Sequence, residues 1–293
     1  MSSFNSQNFR FSIIIPAYNE EGIIKGVLEK LKNYLKEKEY QTEIIVVNDG
    51  STDKTDKILK NIKNIKLINH PYNKGYGASI KTGVKNSQYD WILLYDGDGQ
   101  HCPEYIEKLI KYSNDHDMII GARQGYQGPL LRQPGKKLLI WTANYLVQKK
   151  IPDLNSGFRL VKKDLFSKFS HIFPNGFSLT TTITLSFFKE GLNIKYVPIK
   201  IKKRNGKSTL KIEDGFKALI TVLRMIMLFS PLRVFLPVSL LFLSAFLISA
   251  IYDVFFRPIN VTDLTILLFI SSTLIFFFGL LADQISDIRR GGK

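Results

Sequence analysis

The sequence predicts an α/β fold: a mostly parallel sheet with helices on both faces, followed by an amphipathic helix and two transmembrane helices. Three observations lead there. Up to residue 123, short apolar, β-branched runs alternate with helical stretches of about ten to seventeen residues. Polar residues gather where those runs end, and in such sheets ligands sit at the carboxyl ends of the strands. Near the end of the chain, two uncharged stretches are each long enough to cross a bilayer core of about 30 Å.

Arg10–Tyr18 reads as a first strand stopped by Pro16. Asn19-Glu20-Glu21 then opens a helix, since acids in a first turn favour its positive end. Its apolar face is Ile23, Ile24, Val27, Leu28, Leu31 and Leu35. A second strand, Glu43–Val47, ends in Asn48-Asp49-Gly50-Ser51-Thr52-Asp53, where Asp53 can cap a helix over Lys54–Asn61. A third strand, Ile65–Asn69, leads through Asn73-Lys74-Gly75-Tyr76-Gly77 into another helix. That glycine pair lacks the third glycine of a dinucleotide fingerprint.

The fourth strand carries the chemistry. Trp91–Tyr95 is a buried run that ends in Asp96-Gly97-Asp98-Gly99-Gln100. Two carboxylates and an amide oxygen leave the strand within five residues, spaced by glycines that allow a sharp turn. Hard oxygens of this kind suit Mg²⁺ or Mn²⁺, ions that share their remaining positions with substrate phosphates. Taken alone, the same residues would also make a hairpin turn. Pro103 starts a helix to Tyr112, and a fifth strand, Met118–Gly121, ends at Ala122-Arg123.

Beyond Arg123 the rhythm breaks. Gln124–Gly135 is a Gly- and Pro-rich loop, and Lys136–Lys150 is a helix with bases at both ends. A helix over Ser178–Lys189 and a strand over Ile194–Ile201 follow. Bases then crowd between Lys195 and Arg224, against only Glu213 and Asp214. Lys211–Phe229 is amphipathic, suited to a core or to a membrane interface. Val234–Tyr252 and Leu264–Ala282 are the two candidate spans. Arg224 and Arg233 precede them, and Arg289, Arg290 and Lys293 follow, so the positive-inside rule puts both ends in the cytoplasm.

The composition narrows the partners. A net charge of +16 over 293 residues points to nucleic acid, membrane phosphates or anionic substrates. Cys102 is the single cysteine, so no internal disulfide forms. The polar N-terminus shows no signal-peptide core.

Six segments in order resemble a known family: IIIPAYNEE (Ile13–Glu21), VVNDGSTD (Val46–Asp53), NKGYGAS (Asn73–Ser79), DGDGQHCPE (Asp96–Glu104), NSGFRL (Asn155–Leu160) and RNGKS (Arg204–Ser208). The chain resembles the family 2 glycosyltransferases of the GT-A fold, and within them the polyprenyl-phosphate hexose synthases of the dolichyl-phosphate mannose synthase type. The resemblance implies a catalytic domain over 1–210, an amphipathic interface helix over 211–231 and a two-helix transmembrane hairpin over 232–293. It implies a hexose moved with inversion from a nucleotide sugar, of the GDP-mannose or UDP-glucose type, to a polyprenyl or dolichyl monophosphate. Pro16, Ala17, Tyr18, Glu20 and Asp49 would hold the nucleoside, joined by Asp96 and Gly97. Asp98 and Gln100, with Asp96 beside them, would bind Mg²⁺ or Mn²⁺. Arg123, Arg132, Arg204 and Lys207 would surround donor diphosphate and acceptor phosphate, with Asp98 and the three arginines as the catalytic set. The enzyme would sit in the cell membrane with its catalytic domain on the cytoplasmic side, and an oligomer is allowed.

Other readings remain open to the residues. A glycan-elongating transferase would need a base for a hydroxyl acceptor, and Asp153 is the candidate. A non-catalytic membrane scaffold would be expected to have lost Asp96, Asp98 and Gln100, which are all present. Nucleic-acid binding fits the charge, but no nucleic-acid module is recognisable.

Overall fold

The computed structural model describes residues 9–124, 133–201, 212–256 and 261–291. The chain forms two compact units. The first comprises Met1–Lys136 and Lys149–Lys211, and the second Lys137–Gln148 and Ile212–Lys293.

The first unit is built on a seven-stranded sheet: β1 (Arg10–Ala17), β2 (Gln41–Asn48), β3 (Lys66–Asn69), β4 (Trp91–Leu94), β5 (Met118–Arg123), β6 (Arg159–Lys162) and β7 (Ile194–Ile199). The order across the sheet is β3-β2-β1-β4-β6-β5-β7. Pairing is parallel except that β6 runs antiparallel to both β4 and β5. The mostly parallel sheet is therefore the expected one, but β6 lies in a stretch that shows no strand pattern of its own. Arg159 sits in it fully buried, and a buried arginine hides a four-residue strand from hydropathy.

The helices of this unit are α1 (Ile24–Glu37), α2 (Thr55–Lys60), α3 (Tyr76–Lys85), α4 (Tyr105–Ile110), α6 (Lys163–Phe169) and α7 (Leu179–Lys189). They cover both faces, which is why β1 reads as a continuous apolar run. Phe11, Ile13 and Ile15 pack in one core with Leu28 and Leu31 of α1 and Ile106 and Leu109 of α4. Ile14 points the other way, against Gly83 of α3, where an added Cβ would collide with its side chain. The first helix begins at Ile24, not at Asn19. Asn19 holds a left-handed φ of 55°, and the amides of Ile23 and Ile24 close a turn on the Glu20 carbonyl.

The second unit holds part of α5 (Gln133–Val147), with α8 (Ile212–Phe229), α9 (Leu232–Phe256) and α10 (Asp263–Gly291). α9 and α10 are long and apolar enough to cross a membrane, and little of their surface is buried within the protein. On α8, Val222, Met225, Leu228 and Phe229 are buried, whereas Ile220, Leu223 and Met227 are exposed. Small residues let α9 and α10 approach closely: a Cβ on Gly279 would stand 2.6 Å from Phe235 Cβ. At the hairpin's far end, buried Asp253 accepts hydrogen bonds from Thr262 N, Thr262 Oγ1 and Thr265 Oγ1 at 2.9, 2.9 and 2.7 Å.

One contact explains why α5 joins this unit. Pro237 lies inside α9 and has no N–H, so the Arg233 carbonyl one turn back loses its helical partner. The Tyr145 hydroxyl of α5 donates to that carbonyl at 2.8 Å, while Arg233 Nη1 donates to the Leu146 carbonyl at 2.7 Å. Replacing Tyr145 with Phe should lower the stability of detergent-solubilised protein by about 0.5–1.5 kcal/mol. In a Pro237→Ala background the carbonyl regains its backbone donor, and the same replacement should cost close to nothing. Thermal unfolding of the four proteins in this double-mutant cycle measures the coupling.

Candidate active site

The site is assembled at the carboxyl ends of β1, β2 and β4. The loops after β1 and β2 are tied together. Asn19 N donates to Ser51 Oγ at 3.1 Å, and Thr52 N returns a bond to Asn19 Oδ1 at 2.8 Å. Glu21 N donates to Asp53 Oδ2 at 3.2 Å, Lys54 N donates to Glu21 Oε2 at 2.9 Å, and Glu20 N donates to Thr55 Oγ1 at 2.9 Å. Asp53 also accepts from Thr55 N at 2.9 Å; α2 starts at Thr55 with Lys54 at its N-cap, so Asp53 holds the first helical amide from one residue further back. Pro16 is half-buried and Ala17 buried, while Tyr18 remains 43% exposed beside them.

Asp49 occupies a more enclosed place than its sequence suggests. It is 3% exposed. Its Oδ1 lies 2.7 Å from His70 Nδ1 and accepts from Lys74 N at 2.9 Å, and its Oδ2 accepts from Gly75 N at 2.8 Å. His70 Nε2 in turn lies 2.9 Å from Thr82 Oγ1. The carboxylate thus fixes the loop that leads into α3.

The turn after β4 is held as firmly. Buried Tyr95 donates its hydroxyl to the His101 carbonyl at 2.8 Å, which closes residues 96–101 over the strand end. Gly97 is buried, and a Cβ there would press on Ile24 and the Pro16 carbonyl at 3.2 Å. Gly99 turns the chain with φ 72°. Asp98 Oδ1 accepts from Gln100 N at 3.1 Å, and Asp98 and Gln100 are both partly exposed.

Asp96 is gripped from several sides. Tyr76 donates its hydroxyl to Oδ1 at 3.0 Å, and His101 Nε2 stands 3.5 Å from Oδ2. Gly157, just before β6, passes so close that a Cβ would collide with Oδ2. Burial pushes the Asp96 pKa up, but the His101 hydrogen bond and charge, Tyr76 and the nearby Arg123 outweigh it and hold the carboxyl below its usual value. The Tyr76 phenol moves the other way, raised by burial and then by the Asp96 charge. His101 stacks on Phe158 at 5.0 Å, and its buried Nδ1 finds no protein partner among the described residues.

Arg123, at the end of β5, is committed to Asp153. Nε donates to Oδ2 at 2.7 Å, Nη2 to Oδ1 at 2.9 Å, and the Arg123 amide to Oδ2 at 3.1 Å. Burial pushes the Asp153 pKa up, but the hydrogen bonds and charge of Arg123 hold it below the ordinary value. The segment after Asp153 is anchored by the fully buried Arg159. Its Nε and Nη2 donate to the Ser156 carbonyl, and its Nη1 donates to the Thr180 carbonyl at 3.1 Å and to Thr184 Oγ1 at 3.2 Å.

The structure therefore brings Asp96, Gly97, Asp98 and Gln100 into one turn, sets Pro16, Ala17, Tyr18 and Glu20 on the neighbouring strand end, and puts Asp49 beneath the adjacent loop. Arg132, Arg204 and Lys207 lie outside the described residues. Sequence reasoning passed over Tyr76, His101, Gly157, Arg159 and His70. Their signals were present but local: His101 adjoins Gln100, and Gly157 and Arg159 lie within NSGFRL.

Among the described residues, no three His, Cys, Asp or Glu side chains form a self-sufficient metal cage. Two carboxylates and an amide on a partly exposed turn still fit a hard divalent ion that completes its shell with phosphate oxygens.

Comparison with known proteins gives the architecture its family. Glycosyl transferase family 2 matches residues 12–170, more than half of the chain, and the GtrB C-terminal hairpin matches residues 230–288. A dolichyl-phosphate beta-glucosyltransferase of Trichomonas vaginalis is 30% identical over 181 residues, 55% of each chain, so this protein spans about half of that relative. A UDP-N-acetylglucosamine–dolichyl-phosphate N-acetylglucosaminyltransferase of Methanococcus voltae is 30% identical over 215 residues, 64% of this chain and 84% of the relative. Among solved structures, glucosyl-3-phosphoglycerate synthase from Mycobacterium tuberculosis, in complex with Mn²⁺, uridine diphosphate and phosphoglyceric acid, aligns with a TM-score of 0.61. It is 16% identical, with 74% of this chain and 77% of that one covered, so the likeness is one of fold. The chain belongs to glycosyl transferase family 2 and has the GT-A-type α/β fold.

Proposed function

We propose that the protein is a membrane-bound, inverting glycosyltransferase that moves a hexose from a nucleotide sugar to a polyprenyl or dolichyl monophosphate. The observation that carries this choice of acceptor is the bidentate Arg123–Asp153 pair. Asp153 is the carboxylate that the sequence offers as a base for a hydroxyl acceptor, and it is buried, ionised and fully engaged. A phosphate acceptor needs no base. Its second pKa lies near 6, so it is largely dianionic at pH 7. The dolichyl-phosphate relatives support the same acceptor.

The residues divide the work. Pro16, Ala17, Tyr18 and Glu20 receive the nucleoside, with Asp49 shaping the loop beneath it. Tyr76, His101 and Gly157 hold Asp96 in place at the end of β4. Asp98 and Gln100, beside Asp96, would hold Mg²⁺ or Mn²⁺, which would supply Lewis-acid neutralisation of the diphosphate charge. A Mn²⁺ complex of a protein with this fold supports a divalent ion here. Arg123, paired with Asp153, adds positive charge near Asp96, and Arg132, Arg204 and Lys207 are assigned to the phosphates. In the reaction an acceptor phosphate oxygen forms a bond to the anomeric carbon. The bond from that carbon to the diphosphate oxygen breaks, and its electron pair leaves with the nucleoside diphosphate. No proton need move.

Residues 1–210 form the catalytic part in this reading, 211–231 an interface helix and 232–293 the anchor. The bases flanking the anchor support a cytoplasmic side for the catalytic part. Anionic lipids add about 1 kcal/mol of attraction per base close to the surface.

Two predictions follow from the site. Asp98→Ala should abolish turnover and leave thermal unfolding unchanged, and chelation should silence the unaltered enzyme; an Asp98→Ala protein active in chelator contradicts the mechanism. Asp153→Asn should lower the unfolding temperature while transfer to lipid phosphate stays within about tenfold. A base in that position would instead cost about 10²–10⁴ in rate with the fold unchanged.

A further inference from the structure

Helix α5 carries two stripes of different fate. Leu139, Thr142, Ala143 and Leu146 are buried inside the protein. Leu138, Trp141 and Tyr145, spaced three and four residues apart along a neighbouring side, are exposed. Trp141 leaves 65% of its surface outside. Its ring stacks on that of Tyr145, with centroids 5.8 Å apart and planes 8° from parallel. A helix on the surface of a water-soluble domain turns polar residues outward. On α5 the outward side holds a leucine and a stacked aromatic pair instead.

The Tyr145 hydroxyl fixes the height of that pair. It donates to the Arg233 carbonyl, and Arg233 is the second residue of α9, next to the start of the uncharged run Val234–Tyr252. The two rings therefore stand beside the end of a candidate span, not along its middle. Trp and Tyr favour that level of a bilayer, because each has an apolar body and a polar handle. The charge around the stripe agrees. From Met118 to Pro152 the chain carries no Asp or Glu, while Lys136 and Lys137 precede the stripe and Lys149 and Lys150 follow it. Lys137, Lys149 and Lys150 are exposed. Long basic side chains that flank an apolar face suit contact with lipid phosphates.

We propose that the exposed stripe of α5 lies in the headgroup region of the bilayer, with Trp141 and Tyr145 as its aromatic anchor. α5 is then an interface helix in addition to α8, although it falls within the stretch 1–210 that is assigned to the catalytic part. The buried stripe holds the helix to the protein and the exposed one to lipid. This assignment rests on the membrane reading given above.

The test uses full-length protein reconstituted into vesicles of phosphatidylcholine and phosphatidylglycerol. The chain has two tryptophans, so Trp91→Phe leaves Trp141 as the only one. Its emission is read with phosphatidylcholine brominated on the acyl chain either near the headgroup or near the methyl end. The anchor predicts that shallow bromine lowers the emission about twofold and deep bromine lowers it less, as for a helix buried about 5–10 Å into the headgroup boundary. Stronger quenching by deep bromine would put the ring in the hydrocarbon core and overturn the proposal. No quenching by either lipid would overturn it too, whether iodide then finds the ring open to water or covered by protein. Should Trp91→Phe fail to fold, the signal lost between the unaltered protein and Trp141→Phe gives the same reading. Protein that does not float with the vesicles would instead overturn the membrane reading together with the anchor.

Discussion

The carboxylate of Asp96 leaves the sheet between a tyrosine hydroxyl, an imidazole and a glycine, and the rest of the site depends on that confinement. Burial alone would favour its neutral form, yet Tyr76, His101 and the charge of Arg123 keep it ionised. Each of these partners comes from a different segment: the start of α3, the turn after β4 and the end of β5. Gly157 closes the remaining side from the approach to β6. The same restraint therefore draws together parts of the chain that are more than eighty residues apart in sequence and gives the acidic turn after β4 a fixed origin.

Sequence reading succeeded where one physical signal dominated. The parallel strands are buried on both faces and appear as unbroken apolar runs, so β1, β2 and β4 were legible, as was the acidic turn at the end of β4. It failed where two signals cancelled. Strand β6 is four residues long and begins with a buried arginine that no hydropathy pattern predicts. Arg159 is stable there because carbonyls and a threonine hydroxyl solvate it, an arrangement that needs the folded neighbours to exist first. The surroundings of Asp49 were hidden for a similar reason. Spacing puts it at a strand end, but only the fold shows His70 and two loop amides enclosing it.

The second unit shows the same logic in an apolar setting. Two long helices leave most of their surface outside the protein, which suits lipid as the surrounding medium. Where Pro237 strips one carbonyl of its donor, a tyrosine from α5 restores the bond. Where a carboxylate is buried at the turn end, three donors from two threonines satisfy it. Bases crowd between Lys195 and Arg224 and recur at Arg289, Arg290 and Lys293, which agrees with the proposed acceptor, whose phosphate would lie at a bilayer surface.

Purified protein, polyprenyl phosphate and radiolabelled nucleotide sugars, offered one donor at a time with Mg²⁺ or Mn²⁺, give the most direct measurement of the central claim. The account predicts that one donor yields a labelled, chloroform-soluble hexose lipid, and that adding a chelator stops its formation. Label that stays in the aqueous phase with every donor, or a lipid product formed equally well in chelator, would contradict it.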